Sequence, residues 1–141
     1  MHLEGGSSVR LGMRSKTTLG LVAAALVTLL GGVASATWYG PYSVIVPSFG
    51  GNTTTQYEPA QGIYQAIATS TVGGSYSGDL NANITSNGTN HLAATDQPIY
   101  SNSTAYFTSS TVTNGEYISP LWWTDWWIPV NVQTTGSWET H

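Results

Sequence analysis

No lysine, arginine or cysteine follows Lys16 in this chain of 141 residues. The three basic residues are Arg10, Arg14 and Lys16. Everything after them must fold without disulfides and without lysine or arginine ion pairs. Apolar burial and hydrogen bonding are left to hold it together. Charged residues make up only 7% of the chain, against about a quarter in an average domain. Tyrosine and tryptophan are abundant, at 8 and 6. The same absences exclude several functions. Counterion-release binding to DNA or RNA needs Lys and Arg, and so does a polybasic attraction to anionic lipid. Zinc–thiolate sites, thiol nucleophiles, Schiff-base lysines and phosphate-clamping arginines are excluded as well.

The basic residues stand before an apolar run, Leu19 to Val33, which ends at Ala34-Ser35-Ala36. A positive region, an apolar region and an A-x-A site form an export signal of Gram-positive type. The run falls short of the roughly 20 residues that span a bilayer. Cleavage is expected between Ala36 and Thr37, giving a signal peptide at 1–36 and a secreted domain at 37–141. Met13 is an alternative start, because Met13-Arg14-Ser15-Lys16 already supplies the charged region. After cleavage the acids are Glu58, Asp79, Asp96, Glu116, Asp125 and Glu139, and the only side-chain cations are His91 and His141. No later run is apolar enough for an integral membrane segment.

The periodicity of the secreted part is two. Tyr76, Gly78, Leu80, Ala82 and Ile84 alternate with Ser77, Asp79, Asn81, Asn83 and Thr85, the pattern of a half-buried strand with one wet face. Ile63, Ile67 and their neighbours through Val72 form another strand, and Gly73-Gly74 predicts a hairpin between the two. Tyr42–Val46 closed by Pro47, Tyr106–Val112 and Pro129–Thr135 complete the set. Gly50-Gly51, Asn87-Gly88 and Asn114-Gly115 mark turns. Serine and threonine are plentiful, but the aromatic content argues against disorder. The fold expected is all-β, a single antiparallel β-sandwich or small barrel of about six to eight short strands.

The two ends of this region resemble small secreted, β-rich proteins of actinobacteria, a group without an assigned function. The resemblance rests on Tyr39-Gly40-Pro41-Tyr42, Val44, Val46-Pro47 and Phe49-Gly50-Gly51, then Pro129-Val130-Asn131-Val132, Gly136 and Trp138. It implies secretion and a β fold and assigns no catalytic residue. Tyr100-Ser101-Asn102, with Ser110-Thr111-Val112, is similar to the lactococcin 972-like bacteriocins, which are secreted β-sandwich peptides. The histidine cluster of that family is missing here.

The most unusual segment is Leu121-Trp122-Trp123-Thr124-Asp125-Trp126-Trp127. As a strand it places Trp122 and Trp126 on one face, and Trp123 and Trp127 on the other with Asp125. Residues two apart lie roughly 6.7 Å from each other, so flat rings would flank one carboxylate. That suits sugar faces and hydroxyls, or a protein hot spot. Alternatively Ser119 caps a short helix begun by Pro120, with the four indoles on one face. In a third reading the rings only fill a core short of Leu and Phe. Trp122, Trp123, Asp125, Trp126 and Trp127 are therefore the candidate ligand-binding residues.

No catalytic, metal or cofactor constellation accompanies them. Asp79-x-Asn81-x-Asn83 opens like a calcium loop, but Ile84 stands where glycine is needed and Asn90 where glutamate is. Gly74-Ser75-Tyr76-Ser77-Gly78 has Tyr where a nucleophile elbow needs Ser. His91 reads as a surface or loop histidine. Six scattered acids do not make a glycosidase pair. Asn52, Asn83, Asn87 and Asn102 lie in N-x-S/T sequons, expected by composition alone. The chain reads as a secreted, non-enzymatic binding or interaction protein of the envelope or extracellular space, with a carbohydrate or protein ligand. The alternatives are a bacteriocin-like toxin acting on neighbouring envelopes and a small secreted hydrolase.

Overall fold

Tyr42, Val44 and Val46 turn one way along the first strand while Ser43 and Ile45 turn the other. That alternation builds β1 (Thr37–Val46) and is repeated through the molecule. The computed structural model describes residues 36–141, which fall in one unit of the chain, Ala34–His141. The signal-peptide reading lies outside the described residues except for Ala36, which is exposed just before β1.

The remaining strands are β2 (Asn52–Thr54), β3 (Glu58–Pro59), β4 (Tyr64–Val72), β5 (Leu80–Thr85), β6 (Gln97–Ile99), β7 (Ser103–Thr108), β8 (Tyr117–Thr124) and β9 (Val132–Thr140). No helix occurs among the described residues. One sheet has the order β1-β9-β4-β7. The other has the order β2-β8-β5-β6, with β3 also paired to β8. Every pairing is antiparallel. The two sheets form a sandwich and not a closed barrel. The three strands beyond the expected set, β2, β3 and β6, have two or three residues each, too few to show a period.

The core lies between the sheets. Ile67, Val132 and Trp138 come from the first sheet, and Leu80, Ile84, Ile118 and Trp122 from the second, all nearly inaccessible to solvent. Tyr42 on β1 and Trp122 on β8 meet across the gap with ring centroids 4.8 Å apart. An aromatic pair thus ties the two layers together, adding roughly 0.5–1.5 kcal/mol to the area it buries.

Three expectations are corrected here. Gly73-Gly74 does not close a hairpin, because β4 is already flanked by β9 and β7. The chain instead crosses to the other sheet, and Gly73 N–H donates to Gln133 O at 2.8 Å. The strand begun at Tyr76 starts only at Leu80, with turns before it. Its wet face is covered at the far end: Asn83 and Thr85 are buried. Asn83 Nδ2 donates to Ala93 O and Asp96 Oδ1, and Asn83 Oδ1 accepts from Ala93 N–H. Thr85 Oγ1 donates to Asn90 Oδ1 at 2.6 Å. The segment after β5 folds back as a polar lid over that face.

Ser119 and Pro120 do not begin a helix; they lie inside β8, between β5 on one side and β2 and β3 on the other. Proline is rare in a central strand because it cannot donate to the ladder. Here the Ser119 hydroxyl fills the gap, accepting from Thr55 N–H at 3.2 Å and lying 3.2 Å from Thr55 O. The edge strand breaks at that point into β2 and β3.

Candidate functional site

The tryptophan-rich segment is half strand and half turn. β8 ends at Thr124, and Ile128 N–H donates to Asp125 O at 3.1 Å to close the turn. The strand stops there because Thr124 engages the loop after β1. Its Oγ1 donates to Pro47 O at 2.7 Å and accepts from Gly50 N–H at 3.2 Å. Trp122, expected among the ligand contacts, is fully buried and packs on Tyr42, so its ring is a core element. Trp123 points to the other face and is half-buried. Trp126 and Trp127 sit on the turn at 77% and 52% exposure, with their rings edge-on at 6.2 Å. The two-faced pattern running through Trp127 therefore does not form. Asp125 does not stand between outward rings either, since its Oδ1 accepts from Asn81 Nδ2 at 3.0 Å.

The structure adds residues that periodicity could not have placed. The loop after β1 lies against the turn after β8. Phe49 N–H donates to Ile128 O at 2.8 Å, and Ser48 N–H donates to Asn131 Oδ1 at 3.0 Å. Phe49 is 66% exposed with φ of 54°, and Val130 is exposed as well. A bulky side chain in the left-handed region costs of order 1–2 kcal/mol. Four apolar side chains, Phe49, Trp126, Trp127 and Val130, thus stand in solvent on two cross-braced loops. The Phe49-Gly50-Gly51 turn was the available signal in the sequence. Its partner lies more than seventy residues further on.

A polar cleft of about 260 Å³ opens beside Trp123, lined by Asn52, Thr89, His91 and Asp96 among others. The buried Asn83 donates to Asp96, one of the lining residues, at 2.7 Å. Asp96 Oδ1 lies 2.8 Å from His91 Nδ1, and the imidazole stacks on Trp123 at 4.8 Å. His91 is exposed in a loop, as expected. The Thr89 hydroxyl donates to Asn87 Oδ1. Asp79, Asn81 and Asn83 do not converge: Asn81 serves Asp125, and Asn83 lies inside. Among the described residues no three metal-ligating side chains cluster. The sequon residues Asn52, Asn87 and Asn102 are exposed, whereas Asn83 is sealed from solvent.

No family model matches the chain, and no curated protein matches it. Among solved structures it is similar to a chain of the Bacillus endospore appendages, which form a novel family of disulfide-linked pili. The TM-score is 0.39 at 12% identity, over 77% of this chain and 90% of that one. So distant a likeness decides nothing about function. Among the described residues no helix is long and apolar enough to cross a membrane.

Proposed function

We propose that this chain is a secreted, non-enzymatic binding protein of the cell envelope or extracellular space, and that it acts through the aromatic end formed by Phe49, Trp126, Trp127 and Val130. The observation that carries this reading is the bracing. Two loops distant in sequence are hydrogen-bonded to each other so that they hold apolar rings in water. Neighbouring exposed aromatics on an ordered support mark contact sites, and Trp is the residue most enriched at binding hot spots. Exposed Asn131 beside these rings, with no lysine or arginine after Lys16, fits a neutral glycan, whose ring faces stack on indole. The export signal and the resemblance to secreted actinobacterial proteins support the location. One internal histidine and scattered acids support the reading as non-enzymatic.

The test uses a glycan array and a pull-down from envelope extract, each with wild-type protein and the Trp126→Ala/Trp127→Ala variant. Both side chains are exposed, so folding stability should hold to within about 0.5 kcal/mol, while capture falls at least about tenfold for two lost hot-spot rings. A neutral saccharide as the captured species supports the glycan, and a protein replaces it as ligand class. Capture that is indifferent to both indoles removes the proposal.

A further inference from the structure

We infer that the cavity between the two sheet edges near Trp38 and Glu58 is a binding site for a small organic cation carrying an alkylammonium group. β1 is the edge of one sheet, and β2 with β3 forms an edge of the other. Both edges are irregular. β1 shifts register between Tyr39 and Tyr42, around Gly40-Pro41, and the opposite edge is broken between Thr54 and Glu58. The two irregularities face each other and leave a cavity of about 380 Å³, within the usual range of roughly 300–1,000 Å³ for small-molecule sites. Tyr39 Oη donates to Pro59 O at 3.0 Å and straps the two edges together.

The lining selects the ligand. Trp38, half in solvent, and Tyr39, tilted against the buried Trp138 with ring centroids 4.9 Å apart, supply π faces. Glu58 supplies a carboxylate, and among the described residues the only ion pairs involve His91 and His141, neither with Glu58. Gln56 adds an exposed side-chain amide to the lining, and the Tyr39 hydroxyl proton is committed to Pro59. A carboxylate beside ring faces favours a guest that carries positive charge. A primary ammonium engages both, by charge-assisted hydrogen bonding to the carboxylate and by attraction to ring faces; a quaternary ammonium such as choline engages them through charge and ring-face contact alone. An anion is repelled by Glu58, and a neutral guest lacks the Coulombic attraction. This site is separate from the Trp126 end and does not depend on it.

The full secreted protein is titrated at low salt with choline and with n-butylammonium, followed by calorimetry and tryptophan fluorescence. The neutral isostere 3,3-dimethyl-1-butanol and glucose run alongside. Saturable binding of at least one cation is expected, with the isostere and glucose weaker by about tenfold or more. Glu58→Gln should lose about tenfold, and Trp38→Ala should also weaken binding, each with an unchanged circular dichroism spectrum. Trp126→Ala should leave it unchanged, which separates this site from the proposed aromatic end. Equal binding of choline and its isostere, full retention in Glu58→Gln, or no saturation of either cation up to about 100 mM would each overturn the assignment. If Glu58→Gln unfolds the protein, the choline-against-isostere ratio in wild type decides alone.

Discussion

Gly136 is where the absence of a side chain lets three strands meet. It lies in β9 opposite Tyr42 of β1 and Thr69 of β4. A Cβ there would run into the Ala68 carbonyl and stand 2.8 Å from Tyr42 Oη. Gly136→Ala should cost about 1–3 kcal/mol by overpacking, a fall of roughly 5–20 °C in melting temperature for a domain of this size. An unchanged melting curve contradicts that account. Tyr42 itself is buried, and burial holds its phenol above the ordinary value, against the opposing effect of hydrogen bonds to Thr69 and Thr134. A raised acid stays protonated in the fold after it has ionised in the unfolded chain. Its contribution is complete below about pH 10 and is lost as pH rises beyond that. Denaturation at pH 8 and pH 11 should therefore show a smaller alkaline loss in Tyr42→Phe than in wild type. Neither residue's importance was readable from one sequence, because it is fixed by neighbours on other strands.

The best and worst of the sequence reading meet in β5. Leu80, Ala82 and Ile84 point inward as alternation requires. The opposite face looked wet because its residues are polar, yet polar side chains can be buried when every group finds a partner. Asn83 is such a case, and what covers it is a loop whose course no period records. Asn83→Ala should cost about 2–3 kcal/mol by leaving the Ala93 backbone groups unpaired. It should also release Asp96 and His91 from Trp123, detected as changed tryptophan fluorescence and faster proteolysis between 86 and 96. A variant with wild-type stability and digestion pattern would show that the lid does not need this side chain. The tryptophan segment failed differently. Its strand half was legible, but the exit at Thr124 is set by bonds to Pro47 and Gly50, distant in the chain. The glycine pair after Val72 was a real breaker whose destination depended on which edges were already occupied.

Seen whole, the layered all-β architecture followed from alternation, turn residues and aromatic content. The strand order did not, because β1 pairs with β9, the first described strand with the last. With no lysine or arginine after Lys16, screening has few attractions to weaken and several like charges to relieve. Sodium chloride at about 0.5 M, where the Debye length is only a few ångströms, should leave the melting temperature of a chain spanning residues 37–141 unchanged or slightly raised. A marked fall would reveal an attraction that this account omits. The pairing of β1 with β9 also fixes a direction. Thr37 lies opposite Thr140, whereas Val46 lies opposite Val132 next to the loops that carry Phe49 and Trp126. Ten strand residues separate these poles, roughly 30 Å. A tether joined at either Thr37 or Thr140 would therefore hold the domain by its tail, with Phe49 and Trp126 at the pole far from whatever it is anchored to.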